Sequence, residues 1–121
     1  MICDHCRNEK ELYTFYSKKS MPNQYDWDFL KNNPNLFCFY DEENGELRGY
    51  ITVQRENGVL TLSGASVRKN MAENIKAIIM VCKAFNEDMY SYTKVKPAKI
   101  CLLKAGFKHI KNDEYVRYKN G

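Results

Sequence analysis

The chain is predicted to be an α/β (α+β) domain, and three observations point there. Two Asn-Gly pairs, Asn44-Gly45 and Asn57-Gly58, separate three apolar strand-like runs, the pattern of an antiparallel meander. A wide apolar stripe at helical spacing follows: Ile75, Ile78, Ile79, Cys82 and Phe85. The stretch "KPAKICLLKAGFKHIKNDEYVRYKN" then joins a short amphipathic helix to a closing hairpin through Gly106-Phe107. At 121 residues the chain suits one domain spanning 1–121, large enough for a core and too small for two.

The elements follow in order. Residues 2–6 make a short strand, and 7–19 carry Leu12, Phe15 and Tyr16 at helical spacing. Residues 25–31, with Trp27 and Leu30, give a second short helix, broken by Asn32-Asn33-Pro34-Asn35. Strands are predicted at 36–40, 47–54 and 59–63, each Asn-Gly supplying the positive φ angles of a tight turn. The long helix covers about 71–85, preceded by the polar, basic turn "SGASVRKN". Residues 89–95, "MYSYTKV", alternate as a strand. Pro97 suits the start of the last helix, whose apolar face is Ala98, Cys101, Leu102 and Ala105. Gly106 supplies its left-handed stop, and strands at 107–110 and 115–118 flank the turn Lys111-Asn112-Asp113-Glu114.

Composition narrows the function classes. A 44% apolar and 28% charged chain is ordinary for a soluble globular protein, no apolar run approaches membrane-spanning length, and no signal-peptide core follows Met1. A cytoplasmic location is expected. The net charge of +4, with lysines clustered from 94 to 111, suits an anionic partner. Acidic residues are spread through the same chain and those lysines alternate with buried-looking positions, so a solvated face or a phosphate-bearing coenzyme fits better than nucleic acid. Five cysteines cannot all pair within the chain, and a reduced, disulfide-free protein is expected. Cys38, Cys82 and Cys101 read as small core residues. Cys3-Asp4-His5-Cys6 is at most half a zinc site, since a structural site needs four ligands, and no metal is expected. His5 and His109, the only histidines, fit no triad spacing, and no Walker loop is present.

Element order and the Ala98, Leu102, Gly106, Phe107 pattern resemble the GNAT acetyltransferase superfamily over nearly the whole chain. The resemblance implies a GNAT-like acyl-CoA N-acyltransferase fold: a mixed, mostly antiparallel sheet of six to seven strands flanked by helices, ordered β-α-α-β-β-β-α-β-α-β-β. It also implies acetyl-CoA as co-substrate, an amine acceptor, and a monomer or homodimer. The family's Arg/Gln-x-x-Gly-x-Gly/Ala segment falls on Val67-Arg68-Lys69-Asn70-Met71-Ala72, with Leu62 ending the strand before it. In such a segment glycines let the backbone approach a pyrophosphate, and a helix N-terminus aims N–H groups at it. Here Val67 replaces the leading Arg/Gln and Asn70 the first Gly, while Arg68 and Lys69 add positive charge. The same segment reads equally as a polar capping turn around Asn70. Val95 and Leu102 stand where relatives often carry Asn and the Tyr that protonates the departing thiolate.

Two functions therefore stand side by side. In the enzyme reading, the amine attacks the thioester directly in a slot between diverging strands at 59–63 and 89–95. Tyr90 or Tyr92 then acts as the acid, and Ser63 or Thr61 holds a relay water. Cys101 is a further acid candidate. Glu56 and Glu73 lie near that slot, but the strand at 59–63 has no carboxylate base. In the other reading the chain is a catalytically silent relative serving as a binding or structural module, of the kind a phage or mobile element carries. Bland roles compete at each position: Tyr90 and Tyr92 as strand residues with wet hydroxyls, Cys101 as core filler.

Overall fold

The computed structural model describes residues 2–3 (backbone only), 6–18, 26–67 and 69–120. Its elements are β1 (Ile2–Cys3), α1 (Glu9–Lys18), α2 (Trp27–Asn32), β2 (Leu36–Tyr40), β3 (Leu47–Glu56), β4 (Val59–Ser66), α3 (Met71–Lys83), β5 (Met89–Tyr92), α4 (Lys96–Lys104), β6 (Lys108–Lys111) and β7 (Glu114–Arg117). The expected element order is the observed one. The seven strands form one sheet in the order β1-β2-β3-β4-β5-β7-β6. Antiparallel pairs dominate the described ladders, and β4 with β5 is the parallel pair.

The chain divides into two compact units, and β3 and β4 contribute to both. The first holds residues 1–52 and 64–67. Its core gathers Leu12 and Phe15 of α1, Leu30 of α2, and Leu36, Cys38, Tyr40, Leu47 and Tyr50 of the strands. Asp26 caps α2 by accepting the Phe29 N–H at 2.8 Å, and Asn8 does the same for the Lys10 amide ahead of α1. Burial pushes the Tyr50 hydroxyl well above the usual phenol range, so it stays neutral. Gly64 marks where β4 passes closest to β3: a Cβ there would run into the Tyr50 carbonyl oxygen, a backbone atom that cannot swing aside. Gly64→Ala should therefore destabilise the fold by about 1–3 kcal/mol, read as a lowered urea midpoint. A midpoint unchanged from the wild type would refute the close approach.

The second unit holds residues 53–63 and 68–121. Leu60, Leu62, Val81, Met89, Leu102, Phe107 and Val116 are all buried there. Asn57 and Gly58 take φ values of 51° and 84°, the tight turn expected of that pair. Gly106 stops α4 at φ 99°, and the Phe107 N–H donates back to the Leu102 carbonyl at 3.0 Å. The ion pair Lys99–Asp113, at 2.8 Å, ties α4 to the β6–β7 turn. It holds the Asp113 carboxyl below its ordinary range and the Lys99 ammonium above it.

Four expectations need correction. Asn44-Gly45 is not a two-residue turn: only Gly45 has positive φ, at 73°. Instead the Asp41 carboxylate accepts the Glu43 and Asn44 amides, at 2.8 and 3.2 Å, and organises a longer loop. The buried face of α3 is Asn74, Ala77, Val81 and Cys82, with Ile75, Ile78 and Ile79 only half-buried beside it. The strand expected to run to Val95 ends at Tyr92, because the Thr93 N–H turns to the Asp113 carbonyl and Val95 becomes the N-cap of α4. Finally, the chain is not disulfide-free: Cys6 and Cys38 are bonded, with Cα atoms 5.4 Å apart. The Cys38 side chain is fully buried as expected, but in a covalent partnership that spacing along the chain does not announce.

Candidate functional site

The second unit contains β4 and β5 side by side, the two strands between which the sequence places a slot. β4 and β5 pair in parallel through Leu60↔Met89, Thr61↔Tyr90 and Leu62↔Ser91, and the described register stops there. Ser63 and Tyr92, the next residues on each strand, form no register pair with each other. The last rung is reinforced from one side, where the buried Ser91 hydroxyl donates to the Leu62 carbonyl at 2.8 Å. Sequence reasoning passed over Ser91. Its only signal was a small polar residue between two tyrosines in an alternating strand. Tyr90 is half-buried and Tyr92 is 49% exposed, whereas Met89 and Ser91 on the other face are buried. The tyrosines thus share one face of β5, and Ser63, the residue after the last β4–β5 pair, is half-buried.

The start of α3 belongs to the same unit. Asn70 occupies the N-cap in left-handed backbone, φ 55° and ψ 64°, and its side chain makes no capping bond to the helix. A left-handed Asn is strained relative to Gly, and capping does not account for it here. The conformation is one that glycine adopts without strain. Lys69, Asn70 and Ala72 are exposed and Met71 is half-buried, which leaves the first-turn backbone near solvent. Val67 belongs to the first unit, where its N–H donates to the Arg48 carbonyl at 2.8 Å. Arg68 lies outside the described residues, as do His5 and the side chain of Cys3.

The remaining candidates resolve as follows. Leu102 is 4% exposed, so the position of the usual proton-donating Tyr is a core residue here. Cys101 is buried on α4, and burial raises its thiol, which makes it a poor acid or nucleophile near neutrality. Cys82 is pushed up to about 11 by burial as well. His109 sits on the exposed closing hairpin, its Nε2 2.6 Å from the Asn112 carbonyl. Among the described residues no group of His, Cys, Asp and Glu is arranged to hold a metal, and no helix is long and apolar enough to cross a membrane.

No protein-family model matches the sequence, and no curated protein matches it. Solved structures do match. An acetyltransferase of the GNAT family from Bacillus anthracis aligns over 78% of this chain and 73% of its own, at 14% identity and TM-score 0.63. A GNAT-family acetyltransferase from Bordetella pertussis aligns over 93% and 90%, at 9% identity and TM-score 0.65. An acetyltransferase from Sphaerobacter thermophilus aligns over 97% and 92%, at 10% identity and TM-score 0.64. At such identities the likeness is one of architecture alone. The chain has the fold of the GNAT acetyltransferase superfamily.

Proposed function

We propose that the chain binds acetyl-CoA at the β4–β5 fork and transfers its acetyl group to an amine. The observation that carries this reading is the parallel β4–β5 register, which ends at Leu62↔Ser91 and leaves Ser63 and Tyr92 unmatched. Backbone N–H groups on the lip of a forked strand suit both the pantetheine amides and the oxyanion of the attacked thioester. The left-handed Asn70 and the exposed first turn of α3 suit the pyrophosphate, with Lys69 adding charge. In this reading Leu62, Lys69, Asn70, Met71 and Ala72 line the coenzyme. Tyr92 or Tyr90 protonates the departing thiolate, and Ser63 holds the water through which the amine loses its proton.

A second reading has one specific observation behind it. Leu102 is buried where the thiolate donor usually stands, which favours a domain that keeps the coenzyme site without turnover.

Thermal shift with acetyl-CoA and with CoA tests the shared element. Coenzyme at a hundred times its dissociation constant should stabilise the fold by about 2.7 kcal/mol. For a domain of this size that is on the order of 10 °C. Lys69→Ala should shrink the shift. A melting curve unmoved by millimolar coenzyme ends both readings. A shift without acetyl transfer to any of a panel of amines selects the second.

A further inference from the structure

The first unit contains a feature that the coenzyme site does not use. β1 is the outermost strand of the sheet, and in its ladder Cys3 stands directly opposite Cys38. Residues directly opposite on antiparallel strands have Cα atoms about 4.5–5.5 Å apart. That separation lies within the usual range for a disulfide. Cys38 is nevertheless bonded to Cys6, with their Cα atoms 5.4 Å apart. Cys38 therefore has two cysteines whose backbone positions lie within disulfide range, one across the ladder and one just before α1.

We propose that Cys3, Cys6 and Cys38 form a thiol–disulfide exchange site in which Cys38 is the shared partner. The step is an isomerisation. The Cys3 thiol loses its proton, and the thiolate attacks Cys38 Sγ. The Cys3–Cys38 bond forms, the Cys6–Cys38 bond breaks, and Cys6 leaves as a thiolate that takes up the proton. No electrons enter or leave, so no oxidant or reductant is needed once one disulfide exists.

Three facts favour a balanced exchange. The loops closed by the two bonds differ by only the three residues from Cys3 to Cys6, so chain entropy barely distinguishes them. Three cysteines are an odd number, so one thiol always remains. Cys82 and Cys101 are buried elsewhere with raised thiols and do not compete.

The exchange has a structural consequence. Cys6 is half-exposed and adjoins Arg7, whose N–H donates to the Tyr40 hydroxyl at 3.2 Å and whose guanidinium lies 4.0 Å over the Tyr40 ring. Moving the bond to Cys3 transfers the staple from the entry of α1 to β1. It also releases a half-exposed thiol at the entry to α1, open to small-molecule thiols and electrophiles.

The test is disulfide mapping on the full chain. The protein is equilibrated in a glutathione buffer, quenched with acid, alkylated with iodoacetamide and digested for mass spectrometry. Wild type should yield both Cys6–Cys38 and Cys3–Cys38 peptides, with the alkyl label split between Cys3 and Cys6. Cys6→Ser should yield Cys3–Cys38 alone, with circular dichroism confirming its fold. Wild type showing only Cys6–Cys38, with Cys3 fully labelled, overturns the proposal whatever the variant does. So does reduced protein that retains one equivalent of Zn²⁺ through dialysis and loses it in Cys38→Ser, since the three sulfurs would then be a metal site.

Discussion

Truncating Met89 to alanine is expected to cost about 2–5 kcal/mol of stability, the range for removing a long apolar side chain from a packed core. Met89 is 1% exposed at the base of the fork, in register with Leu60 on one side and Arg117 on the other. The cavity would open under the rung that fixes where β4 and β5 part. Urea denaturation monitored by circular dichroism measures it. Tyr92→Ala, three residues along on the half-exposed face, is the contrast and should change stability by no more than about 0.5 kcal/mol. Equal costs for the two substitutions would mean that β5 presents its faces the other way round. The tyrosines would then be core residues, not candidates for proton transfer.

Reducing the Cys6–Cys38 bond is the second large effect. Its ends are 32 residues apart. Closing a loop of that length in the unfolded chain is worth about 3–4 kcal/mol. A reductant should lower the urea midpoint of the wild type accordingly. Cys38→Ser should lose most of that sensitivity, because the only pairing left nearby, Cys3 with Cys6, closes a loop too short to matter much. A wild-type midpoint indifferent to reductant would remove the bond from the account of stability. The size of the effect follows from the first unit's small core, in which the bond links the entry of α1 to a fully buried position of β2.

The contrast between what local chemistry announced and what it hid is instructive. Asn57-Gly58, Pro97 and Gly106 each fix their own backbone, so the turn, the helix start and the helix stop were legible from neighbours alone. The loop at 41–46 was not, because the Asp41 side chain competes for the amides and leaves Gly45 as the only left-handed residue. The end of β5 was hidden for a similar reason. "MYSYTKV" alternates throughout, but the Thr93 amide is claimed by Asp113 of the closing hairpin, a contact twenty residues away in sequence. The disulfide is the extreme case. The Cys3-x-x-Cys6 spacing suggests a pair within itself, and only the β1–β2 ladder brings Cys38 to it.

The site shows the same division. The left-handed backbone of Asn70 was readable because tolerance of that region is a property of the residue type, and φ 55° is the outcome. Ser91 was unreadable, since its role lies in a bond to a carbonyl on the neighbouring strand. Leu102 was visible as a departure from the family pattern, and its burial explains why the residue there is apolar.

In the proposed function the coenzyme enters between β4 and β5 beyond Leu62 and Ser91, where their pairing ends. Amide chemical shifts recorded while acetyl-CoA is titrated into labelled protein test it most directly. Saturable movement at Leu62, Ser63, Tyr92 and the 69–72 segment, with α1 unmoved, is the predicted result. Spectra left unchanged, or changed only along α1, would contradict it.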